Sequence, residues 1–307
     1  MANDLIADRP PTISVVCATY NRPAVLANAV RSVIAQTVTT WELLVVGDAA
    51  DDETGRTMEA FTDPRVRYYN RPVNHGEQSA PNNDGVGLTS GELVAFLNHD
   101  DVWLPDHLER GLAGLRRTGA DLVCADAVVV RPDDTVTRLS STPRRFGKVF
   151  EPSPASLWLF RRSLFDEIGP WHSAFELRCA PSLDWYCRAV DAGAVIESSG
   201  ATTVVIVPSA GRTGSYVSDA DTTETIGEAV LERGLDAVSD LQRRHTSVVQ
   251  RGRRRVWQVL ALGIARAGFH PILVRLRIIH MVRGWQEGDY IRSFRANRGL
   301  PDDPSAA

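Results

Sequence analysis

Lysine is almost missing from this chain: Lys148 is the only one, so arginine supplies nearly all of the positive charge, which reads first as a bias of codon composition. Cysteine is scarce as well. Cys17, Cys124, Cys179 and Cys187 never fall at C-x-x-C spacing, which excludes a zinc knuckle or redox dithiol and leaves reduced, mostly buried thiols. No stretch reaches the roughly eighteen uninterrupted apolar residues of a membrane span. Met1 to Pro11 lacks the charged-then-apolar layout of a secretory leader, so a cytoplasmic protein is expected. Phosphate loops are missing too: neither G-x-G-x-x-G nor G-x-x-x-x-G-K-[ST] occurs, which excludes a dinucleotide fingerprint and a P-loop.

What remains is a chain of 307 residues, 43% hydrophobic, long enough for a full α/β core with an appendage. Short apolar runs alternate with helical patterns through the first half. Ile13 to Cys17, Leu43 to Val46, Val66 to Tyr69 and Leu93 to Leu97 read as strands, and helices open near Pro23, Asp52 and Pro105. Proline at the first helical turn costs no hydrogen bond, and Asp51 and Asp52 favour a helix start. Runs as apolar as Leu43-Leu44-Val45-Val46 suit strands covered on both faces. Leu122 to Val130 and Ser156 to Phe160 continue as apolar runs around a polar, proline-containing stretch, and Leu164 to Ile168 and Asp184 to Ala192 read as helices. From Thr222 onward only helical periodicity is left, which places a boundary near Ser218: residues 1–218 form an α/β domain and 219–307 a helical, arginine-rich extension.

Charge is uneven between these parts. Residues 251–298 hold eleven arginines against Glu287 and Asp289, a local balance of +9, while the net charge of −4 leaves −13 elsewhere. An acidic body with a basic helical tail suggests a tail that packs on the body, forms a homo-oligomer interface, or lies peripherally on the inner face of an anionic membrane. Nucleic acid is not expected, because no recognised module or interleaved aromatic accompanies the arginines.

In open α/β sheets ligands gather at the carboxyl ends of strands. The first run is followed by Thr19-Tyr20-Asn21-Arg22-Pro23, the second by Gly47-Asp48, and the fourth by Asn98-His99-Asp100-Asp101. Adjacent carboxylates repel unless a cation or other donors offset them. A hard divalent metal does so with few protein ligands, because water and substrate phosphates fill its other positions. The competing reading of Asp100 and Asp101 is a cap for the helix near Pro105. Taken together, a carboxylate for a base N–H, an aromatic face beside it and a metal on a diphosphate describe one nucleotide.

Ile13 to Arg22, Trp41 to Asp48, Asn74-x-Gly76 through Asn83-x-Gly85, and Ser90-Gly91-Glu92 to Asp101 resemble, in order, the segments of family 2 glycosyltransferases with the GT-A fold. The resemblance covers roughly Pro11 to Pro208. It implies an α/β fold with a mixed, mostly parallel central sheet flanked by helices, and an inverting transfer of sugar from a nucleotide diphosphate of UDP or GDP type. It implies that Thr19, Tyr20, Arg22, Asp48, Asn83 and Asp100 bind the donor, with Asp48 reading the base. Asp101, with Asp100, would hold Mn2+ or Mg2+, although Asn98 stands where the family often has an acid. Ser182-Leu183-Asp184-Trp185-Tyr186-Cys187-Arg188 looks like the family's segment that carries the general base, which makes Asp184 the base, with a helix cap as its plainer alternative. Arg212, between Gly211 and Gly214, is expected to steady the diphosphate from a loop, with a plain surface turn as the alternative.

His75, His99 and His172 read as structural, because no two lie at metal spacing and strand alternation should aim His99 away from its neighbours. Trp158, Trp171 and Trp185 read as core or pocket wall, with Trp171 the best placed for an acceptor contact. The acceptor itself, whether a glycan, a lipid-linked sugar, a small molecule or a peptide, is left open. A catalytically weak nucleotide-sugar-binding or scaffold protein of the same fold is the alternative that Asn98 and Leu183 keep alive.

Overall fold

The structure, a computed structural model, describes residues 13–130, 136–139, 153–208, 220–244, 286–298 and 300–302. In chain order the N-terminal part runs β1 (Ile13–Thr19), α1 (Pro23–Ile34), β2 (Trp41–Gly47), α2 (Asp52–Glu59), β3 (Val66–Asn70), α3 (Ser79–Gly87) and β4 (Leu93–Phe96). It continues with β5 (Asp101–Trp103), α4 (His107–Thr118), β6 (Leu122–Val130), β7 (Val136–Leu139), β8 (Trp158–Arg161), α5 (Arg162–Ile168), α6 (Pro181–Asp191) and β9 (Ile196–Ile206). Three further helices are described, α7 (Ala220–Arg233), α8 (Leu235–Arg244) and α9 (Asp289–Arg298).

All nine described strands join one sheet in the order β3-β2-β1-β4-β8-β6-β9-β5, with β7 paired to β6. β1 to β4 are mutually parallel, β8 enters antiparallel between β4 and β6, and β6 and β9 run parallel. β5 and β7 are antiparallel to β9 and β6, so the sheet is mixed and mostly parallel, as expected. The local reasons hold at the helix starts. Pro23 opens α1, where its missing N–H loses nothing, and the Asp51 side chain accepts from Thr54 N–H at 2.8 Å to cap α2.

β1, β2 and β4 are buried along nearly their whole length, the condition for which continuous apolar runs are suited. α3 lies close over β1 because Gly85 has no side chain: a Cβ there would overlap Val16. An aromatic cluster of Phe96, Trp158, Phe160, Trp171 and Trp185 fills the space under α5 and α6. All five are essentially buried, so Trp171 is core and not an acceptor contact.

Two strands depart from the sequence reading. β9 is eleven residues long yet reads Glu-Ser-Ser-Gly-Ala-Thr-Thr through its middle, too polar to signal a strand, and its register against β6 shifts between Cys124 and Ala127. β5 begins at Asp101, where a helix cap was the competing expectation; α4 starts at His107 and its N-cap residue Asp106 makes no side-chain cap. Beyond residue 218, α7 and α8 pack on the sheet. Ile226, Val230, Ala237 and Val238 share a core with Val102, Val128, Val136 and Val205, and Asn28 donates to the Glu224 carbonyl at 2.9 Å.

Candidate active site

The carboxyl ends of β1, β2 and β4 open into one cavity of about 550 Å³, a size that suits a small-molecule ligand. Thr19 and Tyr20 line it from β1, Asp48 from β2, and Asn98, His99 and Asp100 from the loop after β4. Asn21 and Ala49 sit at φ 44° and 54°, sharp turns that end the first two strands; the Asn21 carboxamide then accepts from Asp51 N–H at 2.8 Å and ties the two turns together. Asp48 is 4% exposed and accepts from His75 N–H and Gly76 N–H and from Arg71 at 2.8 Å. Its carboxylate thus shapes the loop of residues 74–78, which also borders the cavity. Thr19 Oγ1 and Asn74 Oδ1 are buried atoms of cavity residues with no hydrogen bond in the protein. Buried polar atoms are costly without partners, so these two mark where a polar ligand fits.

The acidic pair splits in two. Asp101 is 1% exposed and does not line the cavity; its Oδ2 accepts from Ser156 Oγ at 2.5 Å and from Asn98 Nδ2 at 2.9 Å. Burial, reinforced by the neighbouring Asp100 charge, pushes its carboxyl well above the usual carboxylate range. Asp100 is the member that faces the cavity, with 15% of its side chain exposed and Arg22 Nη1 at 3.6 Å. Asp101 was expected to lead metal binding; alternation across β5, which begins at Asp101, turns it inward, where it anchors Asn98, and leaves Asp100 facing the cavity. Arg22, expected as a donor contact, is buried and pairs with Asp100 at 3.6 Å, and does not line the cavity. His99, expected to point away, lines the cavity because β4 ends at Phe96 and alternation lapses beyond it.

The described residues contain no cluster of three or more His, Cys, Asp or Glu that would cage a metal. The donor set still fits magnesium or manganese, which take one or two carboxylates and leave other positions to water and substrate phosphates. Asp100 would supply the carboxylate and Asn98 an amide oxygen, its nitrogen being committed to Asp101.

The far side of the cavity is walled by Pro154, by Ala180 to Leu183 at the start of α6, and by α9. Asp184, the expected base, sits one residue beyond that wall. Its Oδ2 contacts Arg188 Nε at 2.9 Å and His172 Nδ1 at 3.0 Å, and its side chain is 20% exposed. It does not cap α6, whose N-cap residue Ala180 makes no side-chain cap hydrogen bond. Asn83, expected as a donor contact, exchanges hydrogen bonds of 2.9 Å with the Trp171 N–H and carbonyl, clamping α3 to the segment before α6. Arg212 lies outside the described residues.

Three features escaped the sequence reading. Glu77 lines the cavity with a side chain 2% exposed, accepts from Ser79 N–H at 2.6 Å and from the Ser79 hydroxyl, and is pushed above the usual carboxylate range by burial. Gly76-Glu77 beside Asn74 was its only signal. Ser156 anchors both Asn98 N–H and Asp101, a role that no spacing announces. Tyr290, Ile291, Phe294 and Arg295 of α9 join the cavity wall from the far end of the chain.

Among known proteins, the chain is 34% identical over 134 residues to the succinoglycan biosynthesis protein ExoO of Rhizobium meliloti, which spans 44% of this chain and 38% of ExoO. It is 27% identical over 198 residues to the putative colanic acid biosynthesis glycosyl transferase WcaA of Escherichia coli, covering 59% of this chain and 66% of WcaA. The chain therefore spans less than two thirds of either relative. Among solved structures, S. aureus TarS 1–349 superposes with a TM-score of 0.56 at 17% identity, covering 82% of this chain and 80% of that one. The same protein with UDP-GlcNAc gives a TM-score of 0.55 at 18% identity, covering 74% and 72%. These superpositions bear out the GT-A fold. A family model described as glycosyl transferase family 2 matches residues 14–169, the segment that builds β1 to β4 and their ligand-facing ends. With the strand order, the cavity and this match in agreement, the chain belongs to glycosyl transferase family 2.

Proposed function

We propose that the protein is an inverting glycosyltransferase that takes a sugar from a UDP-type donor with a divalent metal on the diphosphate. The observation that carries this is the convergence of Thr19, Tyr20, Asp48, Asn74 and Asp100 in one cavity, with Thr19 Oγ1 and Asn74 Oδ1 buried and unpartnered. A base that presents N–H donors matches Asn74 Oδ1 beside Asp48, and Tyr20 offers an aromatic face. The metal would offset charge on the departing diphosphate. TarS has been solved with UDP-GlcNAc, which supports uridine over guanosine by likeness of fold alone.

Asp184 is the base in this reading. The acceptor oxygen bonds to the anomeric carbon as that carbon's bond to phosphate oxygen breaks on the opposite face; the acceptor proton passes to the Asp184 carboxylate and nucleoside diphosphate leaves. Arg188 and His172 on Oδ2 orient that carboxylate. The acceptor hydroxyl would belong to a glycan under assembly, as the names of ExoO and WcaA suggest for those relatives. Among the described residues no helix is long and apolar enough to cross a membrane; contact with a membrane surface would rest with the arginine-rich stretch, most of which lies outside them.

The test is a thermal-shift panel of UDP- and GDP-sugars with and without Mn2+, followed by release of nucleoside diphosphate. A UDP-sugar that raises the melting temperature only with metal is the expected result, since a ligand bound to the native state stabilises it. A protein unmoved by every nucleotide sugar and releasing no diphosphate would instead be a scaffold of the same fold.

A further inference from the structure

α9 lies outside the segment matched by the family, yet it closes one side of the cavity. Its docking is specific at both ends. Gly288 N–H donates to the Leu177 carbonyl at 2.9 Å, and Arg295, 2% exposed, donates from Nη1 to Gly76 O and from Nε to Pro301 O, each at 2.7 Å. Ile291, also 2% exposed, buries the face between them. At about 1.5 Å of rise per residue, Gly288 to Arg295 spans about 10 Å, so α9 is a bar between the turn that leads into α6 and the loop shaped by Asp48.

Residues four apart share a helix face, and Tyr290 and Phe294 present theirs to the cavity. Both are half-buried, with ring centroids 5.8 Å apart and planes 29° from parallel. Tyr20 already offers the nucleotide end an aromatic face, and Gly288 docks the start of α9 on Leu177, in the turn that leads into α6, the helix of Asp184. Arg295 is the one arginine or lysine among the described cavity-lining residues, and two carbonyls hold its guanidinium, so this wall offers aromatic area more than positive charge.

We infer that Tyr290 and Phe294 form the acceptor subsite and that the acceptor they take is an uncharged pyranose, stacked through its C–H face on the two rings. Planar rings suit that face by dispersion and by the quadrupole of the aromatic system. Specificity for the acceptor then resides in a C-terminal element that the family segment does not contain. The inference rests on the glycosyltransferase reading of the same cavity.

Saturation-transfer NMR tests it, with methyl β-D-glucopyranoside, methyl β-D-galactopyranoside and methyl N-acetyl-β-D-glucosaminide as probes of the full chain in UDP and Mn2+. Transfer is expected to the axial ring protons of at least one probe, reduced by about fivefold or more in Tyr290→Ala/Phe294→Ala. Phe294→Leu keeps packing volume without the ring and should lose signal in the same direction, while Phe294→Tyr restores it. UDP affinity by calorimetry should stay within about twofold, because the sites are distinct. A wild type silent to all three probes, a signal indifferent to the substitutions, or a loss of UDP affinity of about tenfold or more would overturn the assignment, the last by giving the rings to the base. Failure of every nucleotide sugar to bind the wild type would sink the parent reading instead, and is read in a separate titration without glycoside.

Discussion

The two walls of the cavity are made differently. The wall proposed to hold the donor comes from residues 18–100, where strands of the parallel part of the sheet deliver their ends side by side. The opposite wall is gathered from residue 154, residues 180–183 and α9, the last more than a hundred positions further along the chain and tied to the segment before α6 by the hydrogen bond from Gly288 to Leu177. A wall built from local elements carries chemistry the whole family can share, whereas a wall assembled from distant segments can change without disturbing the sheet. In the proposed reading, common donor chemistry belongs to one side and individual acceptor choice to the other.

The strongest way to break the comparison is Asp184→Asn. Transfer should fall by about 10²- to 10⁴-fold, the usual worth of a positioned general base, with donor binding by calorimetry held within about twofold. Weakened donor binding of the same size would move Asp184 to the donor wall. Next comes Asp100→Ala, for which turnover should drop by about 10²- to 10³-fold and the Mn2+-dependent part of the donor thermal shift should vanish. Asp101→Asn should keep that shift, because its carboxyl is buried and anchors Asn98; losing it equally in both variants would restore Asp101 as the leading ligand.

Smaller effects sharpen the comparison. Asn83→Ala removes both hydrogen bonds to Trp171 and should cost about 1–3 kcal/mol in chemical denaturation, with KM for acceptor raised more than KM for donor. The last concerns His107, away from the cavity lining, which stacks on Trp103 and shares a 2.8 Å hydrogen bond with Thr203. Burial lowers its pKa to about 3, so between pH 6.5 and that value the unfolded chain binds a proton that the folded protein refuses. Stability should therefore fall as pH drops through this window, with a slope contribution of up to about 1.4 kcal/mol per pH unit. His107→Gln should flatten the slope of melting temperature against pH there; an unchanged slope would show that other groups govern acid unfolding.

Much of the fold was legible because the signals were local. β6 spans Leu122 to Val130 as its apolar run implied, and Pro23 and Asp51 mark the helix starts they were read to mark. β9 was not legible, because its middle is polar and what makes it a strand is pairing with β6 and β5. The site divides likewise. Tyr20 and Asp48 follow strands and could be picked from position, while Glu77, Ser156 and Tyr290 reach their places through contacts of which linear order carries no trace.

The acidic pair shows where the boundary lies. From sequence alone, two adjacent carboxylates after an apolar run implied a charged strand end facing a ligand, because like charges need an offset and parallel sheets collect ligands there. Which of the two faces the ligand was decided only in three dimensions. Asp101 enters β5, pairs opposite Ile206 and is sealed by Ser156, so its neighbour Asp100 is left to the cavity. Sequence determines the type and order of the strand-end groups because those depend on neighbours along the chain, but orientation, burial and the far wall depend on partners some fifty to two hundred residues away.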